Sequence, residues 1–209
     1  MRNLKPLQPG RYYHIYNRGN NREDLFRTSQ NYRYFLELYA RYVNPIADTF
    51  VYCLMRNHFH LLMRIKTEAE WRETYAKISN VAGDLVTHPF NPSRSFSHLF
   101  NAYAQSINKM FKRTGSLFQE RFRRIEVTTG TYFTNLVFYI HFNPQKHGFV
   151  DDFREWPWSS YGALLSNAKT QLQRRDVMTW FNGVQRLQEF HRGAVDEKLI
   201  AHLIEDDWE

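Results

Sequence analysis

The chain has 209 residues, which is enough for one domain with an extension. Its formal net charge of +7 and its 17% aromatic content favour a nucleic-acid partner, because phosphates attract cations and unpaired bases stack on rings, although a charged, soluble surface would also account for the charge. The single cysteine, Cys53, excludes an intramolecular disulfide framework, and the absence of a signal-peptide or membrane-span pattern leads us to expect a soluble cytoplasmic protein with no membrane partner.

Hydrophobic patterning is regular up to about residue 144. Alternation and β-forming residues predict strands at 11–17, 48–55, 58–65 and 117–127. Apolar residues at helical spacing predict helices at 29–43, 67–80, 96–112 and 131–142, the last closed by Asn143-Pro144, and residues 88–95 are predicted to form a loop. This order predicts an α+β domain with a ferredoxin-like (RRM-like), mostly antiparallel sheet that helices cover on one face.

A pair of histidines lies in the third predicted strand. Alternate side chains of a strand share a face, so His58 and His60 project the same way while Phe59 points to the other side. Two imidazoles on a rigid strand form a partial metal site that still needs a third donor. The alternative is that they are two polar residues on a solvated strand face.

The end of the last predicted helix carries a second group of polar residues. Tyr139 and Asn143 are one turn apart and share a face, which therefore offers a phenol nucleophile and an amide oxygen ligand. The alternative is that Tyr139 packs in the core and Asn143 caps the helix before Pro144.

Five motifs in chain order resemble those of a known family. They are YHIYNRGNN at 13–21, MRNHFHLLM at 55–63, GSLFQERF at 115–122, YIHFNP at 139–144, and GFV at 148–150 followed by WPWSSY at 156–161. Together they resemble the single-tyrosine HUH transposases, and among these the REP-associated tyrosine transposase branch. The insertion-sequence transposases usually carry glutamine where Asn143 stands, and asparagine there is typical of the REP-associated branch.

The resemblance implies an HUH endonuclease architecture over residues 1–162, with Tyr139 as the nucleophile and His58, His60 and Asn143 as ligands of Mg²⁺ or Mn²⁺. It also implies that the substrate is single-stranded DNA with REP-type (BIME-like) hairpins, which the enzyme cleaves and rejoins through a 5′-phosphotyrosine intermediate. No second tyrosine clearly belongs to the same motif, so we expect one nucleophile per chain. The resemblance to the REP-associated branch implies a monomer.

Two sets of basic residues are candidate DNA contacts, because cations near phosphates determine affinity and its salt dependence. One set lies near the N-terminus and the other between residues 109 and 124. They are Arg11, Arg18 and Arg22, and Lys109, Lys112, Arg113, Arg121, Arg123 and Arg124.

Two other functions remain open at this point. A non-catalytic binder of hairpin DNA or RNA would need the basic and aromatic residues but not His58, His60, Tyr139 and Asn143. A metal-dependent nuclease that uses water as its nucleophile would leave no covalent protein–DNA adduct.

Residues 163–209 are predicted to form a C-terminal extension with an acidic tail. Residues 194–209 contain six acidic residues and one basic residue, and their apolar residues form one stripe on a short helix. The hypothesis is that this tail lies over or beside the DNA groove and competes with DNA phosphates. The alternative is an ordinary terminal helix whose acids face water.

Overall fold

The computed structural model describes residues 6–78, 90–119 and 121–193. Four strands form one sheet: β1 (Tyr12–Arg18), β2 (Ala47–Leu54), β3 (His58–Ile65) and β4 (Arg123–Val127). Their order is β2-β3-β1-β4, and each strand is antiparallel to its neighbours. The predicted α+β class with an antiparallel, ferredoxin-like sheet is therefore confirmed.

Seven helices accompany the sheet within the described ranges. They are α1 (Ser29–Tyr42), α2 (Glu68–Ile78), α3 (Pro92–Met110), α4 (Gly130–Lys146), α5 (Tyr161–Leu165), α6 (Arg174–Trp180) and α7 (Val184–Arg192). None of them is long and apolar enough to cross a membrane.

Helices cover both faces of the sheet, so the predicted covering of one face is wrong. The first core lies between one face and helices α1 and α3, and it contains Ile15, Phe59 and Phe35. The second core lies on the opposite face, where Leu62 packs with apolar residues of α4, α6 and α7. The physical reason is that both faces of the sheet are apolar, since Val51 and Leu62 on the face of α4 are apolar and fully buried and therefore also need a helical cover.

Three predicted boundaries differ from the structure by more than two residues. Helix α3 begins at Pro92 rather than at residue 96, because the Asn91 side chain accepts a hydrogen bond from the backbone N–H of Arg94 and proline is tolerated in a first helical turn. Helix α4 continues through Pro144 instead of ending before it. Strand β4 is shorter than predicted, because residues 117–119 leave the sheet, where Phe118 makes only an isolated bridge with Gly19.

The chain after α4 completes the second core. Residues 156–160 lie along β2, where the N–H of Leu54 donates to the carbonyl of Trp158 and the N–H of Ser160 donates to that of Tyr52. Within the extension predicted at 163–209, helices α6 and α7 contribute Val177 and Leu187 to the core that also contains α4. The acidic tail, residues 194–209, lies outside the described residues.

Candidate active site

His58 and His60 lie on β3, a central strand of the sheet. They project to the face covered by α4, and only 3% of His58 and 1% of His60 is exposed. The alternative of two polar residues on a solvated face is therefore wrong. Two buried imidazoles require polar partners, which β1 and α4 provide.

The Nδ1 atom of each histidine has a neighbour that orients its ring. His58 Nδ1 lies 2.7 Å from Oδ1 of Asn57, so this nitrogen donates to the amide oxygen. His60 Nδ1 lies 2.8 Å from Nε2 of His14 on β1, and one of these two nitrogens donates to the other. Among the described residues, Nε2 of His60 has no hydrogen-bond partner. When His60 Nδ1 is the donor, its Nε2 lone pair is available to a metal.

Burial keeps these imidazoles neutral. It lowers the pKa of His58 and of His60 well below the usual range, and nearby histidines add to the effect. Burial also lowers the pKa of His14 to about 3. A neutral imidazole is the form that binds a metal ion, so near neutral pH the pair needs no deprotonation before it can do so.

Helix α4 lies over the histidine pair. The Tyr139 ring is 5.5 Å from the His60 ring and 6.2 Å from the His14 ring, measured between centroids. At the C-cap of α4, directly after Lys146, the His147 ring is 4.9 Å from that of His58. Asn143 lies one turn from both Tyr139 and His147 on the same helix face, so it faces the region between the two histidines.

Asn143 has one satisfied and one unsatisfied amide atom. Its Nδ2 donates to the carbonyl of Tyr139 at 2.7 Å, whereas its Oδ1 has no hydrogen-bond partner among the described residues. The residue is fully buried and lies within α4, so it does not cap the helix end as the alternative had it. Tyr139 is only 1% exposed and belongs to the second core, as that alternative expected.

These donors fit a divalent cation. Nε2 of His60 and Oδ1 of Asn143 are buried and have no hydrogen-bond partner in the described part of the chain, and they are a nitrogen and an oxygen of the kinds that Mn²⁺ and Mg²⁺ accept. Across residues 6–78, 90–119 and 121–193, no group of three or more His, Cys, Asp and Glu side chains is arranged to hold a metal. A metal here therefore depends on the amide of Asn143 as well as on imidazoles.

The candidate DNA-contacting residues lie on different faces. Arg18 stands opposite His58 and Arg123 opposite Tyr16 in the strand register, so both lie on the face of the histidine pair. Arg124 stands opposite Ile15 and lies on the other face. The remaining candidates lie outside the strands. Those that are exposed are Arg11, Arg22, Lys109, Lys112 and Arg121.

Arg113 differs from the other candidates because its guanidinium already forms a close ion pair within the protein. Its Nε donates to Oε2 of Glu23 at 2.9 Å and its Nη1 donates to Oδ1 of Asn108. Only 12% of its side chain is exposed. Arg11 has a looser neighbour, with its Nε 3.7 Å from Oε1 of Glu126. We therefore leave Arg113 out of the proposed DNA contacts.

Three residues next to the histidine pair were missed from the sequence: His14, Asn57 and His147. Alternation along the first strand placed His14 on one face, but its contact with His60 depends on the register between β1 and β3. His147 was missed because Pro144 was expected to end the helix. Its spacing of one helical turn from Asn143 is the sequence feature that could have indicated His147.

No family model matches the chain. Over 115 residues the chain is 27% identical to a protein from Haemophilus influenzae assigned to the REP-associated tyrosine transposases. This match covers 54% of the chain and spans 58% of the length of that relative. A solved structure described as a REP-associated tyrosine transposase bound to a REP hairpin superposes with a TM-score of 0.58 at 14% identity, covering 80% of this chain and 86% of that one. The similarity of this chain to the REP-associated tyrosine transposases, indicated by its motifs, is thus confirmed by a sequence match and by a shared fold.

Proposed function

We propose that this protein is a single-tyrosine transposase that cleaves and rejoins single-stranded DNA carrying REP-type hairpins. The observation that supports the proposal is that the Tyr139 ring lies 5.5 Å from the His60 ring, one helical turn from Asn143, and that Oδ1 of Asn143 and Nε2 of His60 are buried and lack hydrogen bonds within the described structure. The names of the two similar proteins support the substrate class.

The proposed reaction is a transesterification at a DNA phosphate. The phenol oxygen of Tyr139 attacks phosphorus, a Tyr–O–P bond forms, and the bond from phosphorus to the 3′-oxygen breaks. The phenol proton leaves the tyrosine and the departing oxygen becomes a 3′-hydroxyl. The 5′-phosphotyrosine retains the energy of the phosphodiester, so attack by a 3′-hydroxyl reverses the step without ATP.

Lys146 supports the nucleophile in this proposal. Its ammonium nitrogen lies 5.8 Å from the centroid of the Tyr139 ring. A positive charge at this distance attracts the negative charge that develops on the phenol oxygen as its proton leaves. Tyr139 is almost fully buried, so DNA must displace neighbouring side chains before its phosphate reaches the phenol oxygen.

His58, His60 and Asn143 would hold Mg²⁺ or Mn²⁺, and the nitrogen donors favour Mn²⁺. When bound, such a cation polarises the scissile phosphate and neutralises charge in the transition state. The chain itself contributes neutral imidazoles, because burial lowers the pKa of both histidines. It also fixes their rings through Asn57 and His14.

The same chain supplies both the nucleophile and the histidines next to it. Tyr139 contacts His60 within one molecule, so no residue from a second copy is needed to bring them together. We therefore propose that the protein acts as a monomer. Arg18 and Arg123, on the face of the histidine pair, would hold the phosphates that flank the scissile bond.

One observation favours the alternative of a non-catalytic hairpin binder. Tyr139 is 1% exposed and packs in the second core, which is the expected environment of a structural tyrosine. The binder would retain DNA affinity but form no covalent product. It is therefore separated from the enzyme by the same experiment.

The test is a denaturing gel of the protein with a labelled single-stranded hairpin oligonucleotide and Mn²⁺. Wild type and the control Tyr34→Phe, on α1 across the sheet, are expected to form a covalent adduct. Tyr139→Phe should form none, with DNA affinity changed by no more than about threefold because the phenol is buried. A full-strength adduct in Tyr139→Phe would contradict the assignment of the nucleophile. Cleavage without any adduct would indicate a water nucleophile, and binding without cleavage would indicate the binder.

A further inference from the structure

A pocket lined by polar and aromatic residues lies beside β4, on the sheet face opposite the histidine pair. Its volume is about 610 Å³, within the range of roughly 300–1,000 Å³ that is usual for small-molecule sites. The residues lining it come from α3, from the end of β1, from β4 and from the segment that joins α3 to β4. Those used below are Asn17, Ser93, Asn101, Phe122 and Arg124.

Arg124 is the unusual member of this lining. It is half-buried, and the structure as described contains no carboxylate in an ion pair with it. Its Nη1 donates to Oγ of Ser93 at 3.2 Å, and its guanidinium carbon lies 4.3 Å from the centroid of the Phe122 ring. Its Nε is buried without a hydrogen-bond partner among the described residues. Burial lowers the pKa of Arg124, as expected for a cation that lacks a compensating anion.

The other lining residues suit a nucleobase better than a bare phosphate. Phe122, Phe118 and Phe100 form an aromatic wall, and an aromatic surface stacks on or against the faces of bases. Asn101 is exposed and adds an amide group that can donate to and accept from base edges, whereas Oδ1 of Asn17 already accepts from the backbone N–H of Arg18. Arg121 also lines the pocket, but it is exposed and is therefore better placed for the phosphate of the same nucleotide.

The pocket lies at the same end of the sheet as the histidine pair. Asn17 precedes Arg18, and in the strand register Arg18 stands opposite His58. A DNA strand that passes over the end of β1 can therefore contact both faces, with its scissile phosphate near His58 and a nearby nucleotide in the pocket.

We propose that this pocket binds one unpaired guanine of the DNA substrate, with the N7 and O6 atoms of the base facing the Arg124 guanidinium. The choice of guanine follows from geometry, because those two acceptors on one edge match the planar fork of arginine. The inference rests on the proposed function for its substrate class and extends it, since it assigns sequence preference to a particular residue.

The test compares two fluorescent oligonucleotides, an oligothymidylate and the same strand with one central guanine, by anisotropy in EDTA. Wild type should bind the guanine-containing strand about tenfold more tightly. Arg124→Gln and Arg124→Lys should both lose this preference, because neither side chain presents the fork. Arg124→Lys should keep its affinity for oligothymidylate within about threefold, because it keeps the charge.

The control is Arg175→Gln, which removes an exposed arginine from α6 next to β2, at the opposite edge of the sheet. It should retain the preference. Asn101→Ala, at an exposed lining position of α3, provides a second variant that should weaken the preference even if Arg124 variants fold poorly. Circular dichroism and thermal unfolding check folding in each case.

Three results would overturn the proposal. The first is the absence of a guanine preference in wild type, and the second is an unchanged preference in folded Arg124→Gln. The third is that Arg124→Gln loses affinity equally for both strands and that its slope of log affinity against log salt concentration is smaller by about one, which would indicate a phosphate contact. Because the measurement is made without metal, it does not depend on cleavage. A guanine preference could therefore be found even if no covalent adduct forms, and an adduct could form even if the protein has no guanine preference.

Discussion

His58 and His60 are each held through Nδ1, but by different kinds of group. Asn57 precedes His58 in the chain, whereas His14 reaches His60 from the neighbouring strand. Alternation along a strand was sufficient to predict that both imidazoles share a face. Their burial and their Nδ1 partners could not be predicted, because these depend on strand register and on which helix covers that face.

Removing the proposed metal should abolish cleavage without unfolding the protein. EDTA is expected to eliminate adduct formation by wild type, and His60→Ala should do the same in Mn²⁺, because His60 supplies one of the proposed donors. His98→Ala, which replaces an exposed histidine on α3, is the matched control and should cleave normally. Gel assays with added Mn²⁺ check the result, and undiminished cleavage in EDTA would exclude a metal site.

His14 should act through His60 rather than on DNA. His14→Phe keeps a ring of similar size on β1 but loses the 2.8 Å contact with Nδ1 of His60. Loss of such an orienting group typically weakens metal affinity by about 10- to 100-fold. The Mn²⁺ concentration for half-maximal adduct formation should rise accordingly, and saturating Mn²⁺ should restore most of the activity. A variant that folds and has an unchanged Mn²⁺ dependence would show that His14 only packs.

Helix α4 illustrates why element boundaries were harder to predict than elements. Its apolar periodicity predicted a helix, but Asn143-Pro144 predicted an end that the structure does not have. Packing against the sheet and the C-terminal helices outweighs the cost of one interior proline, about 3 kcal/mol. The continuation through Pro144 is what brings His147 next to His58. A local sequence rule cannot weigh this tertiary packing.

A buried polar chain holds the other side of α4. His141 Nδ1 lies 2.8 Å from Nε2 of His191 on α7, and His191 Nδ1 lies 2.8 Å from the carbonyl oxygen of Leu187. A carbonyl only accepts, so His191 Nδ1 carries a proton and, in the neutral ring, His191 Nε2 accepts from His141. This leaves His141 Nε2 to accept from the Ser160 hydroxyl, 2.8 Å away.

Ser160→Ala should therefore destabilise the protein by about 2 kcal/mol, because it leaves buried His141 Nε2 and the N–H of Tyr52 without their partner. Urea unfolding measures the change in the free energy of unfolding. Ser97→Ala, at an exposed position of α3, should change it by less than about 0.5 kcal/mol. Equal stabilities for the two variants would mean that the polar chain contributes nothing to holding α4.

At the scale of the whole molecule, one sheet separates two cores that the sequence predicted unequally. The first core follows from regular periodicity in α1, α3 and the central strands. The second requires α6 and α7, which have seven and nine residues. Helices this short carry little periodic signal, so regular patterning ended at about residue 144 and neither helix was predicted. The sequence could therefore predict the sheet, the first helical layer and α4, but not that α6 and α7 join α4 in a second core.

The second core should make the whole fold sensitive to acid through His191, which joins α7 to α4. Burial lowers the pKa of His191 to about 4, whereas an unfolded histidine titrates near about 6.5. Below about pH 6.5 the unfolded chain therefore binds a proton that the folded protein does not bind. The contribution of neutral His191 to the free energy of unfolding is complete above about pH 6.5 and is lost as the pH falls towards about 4.

Between about pH 7.5 and about pH 5.5, His191 alone should account for a loss of about 1 kcal/mol in the free energy of unfolding. Urea unfolding in EDTA at both values checks this, with His191→Gln as the variant, since its amide can still accept from His141 and donate to Leu187 but does not titrate. The variant should lose about 1 kcal/mol less than wild type over this range, and parallel pH dependences for the two proteins would show that His191 takes up its proton equally well when folded.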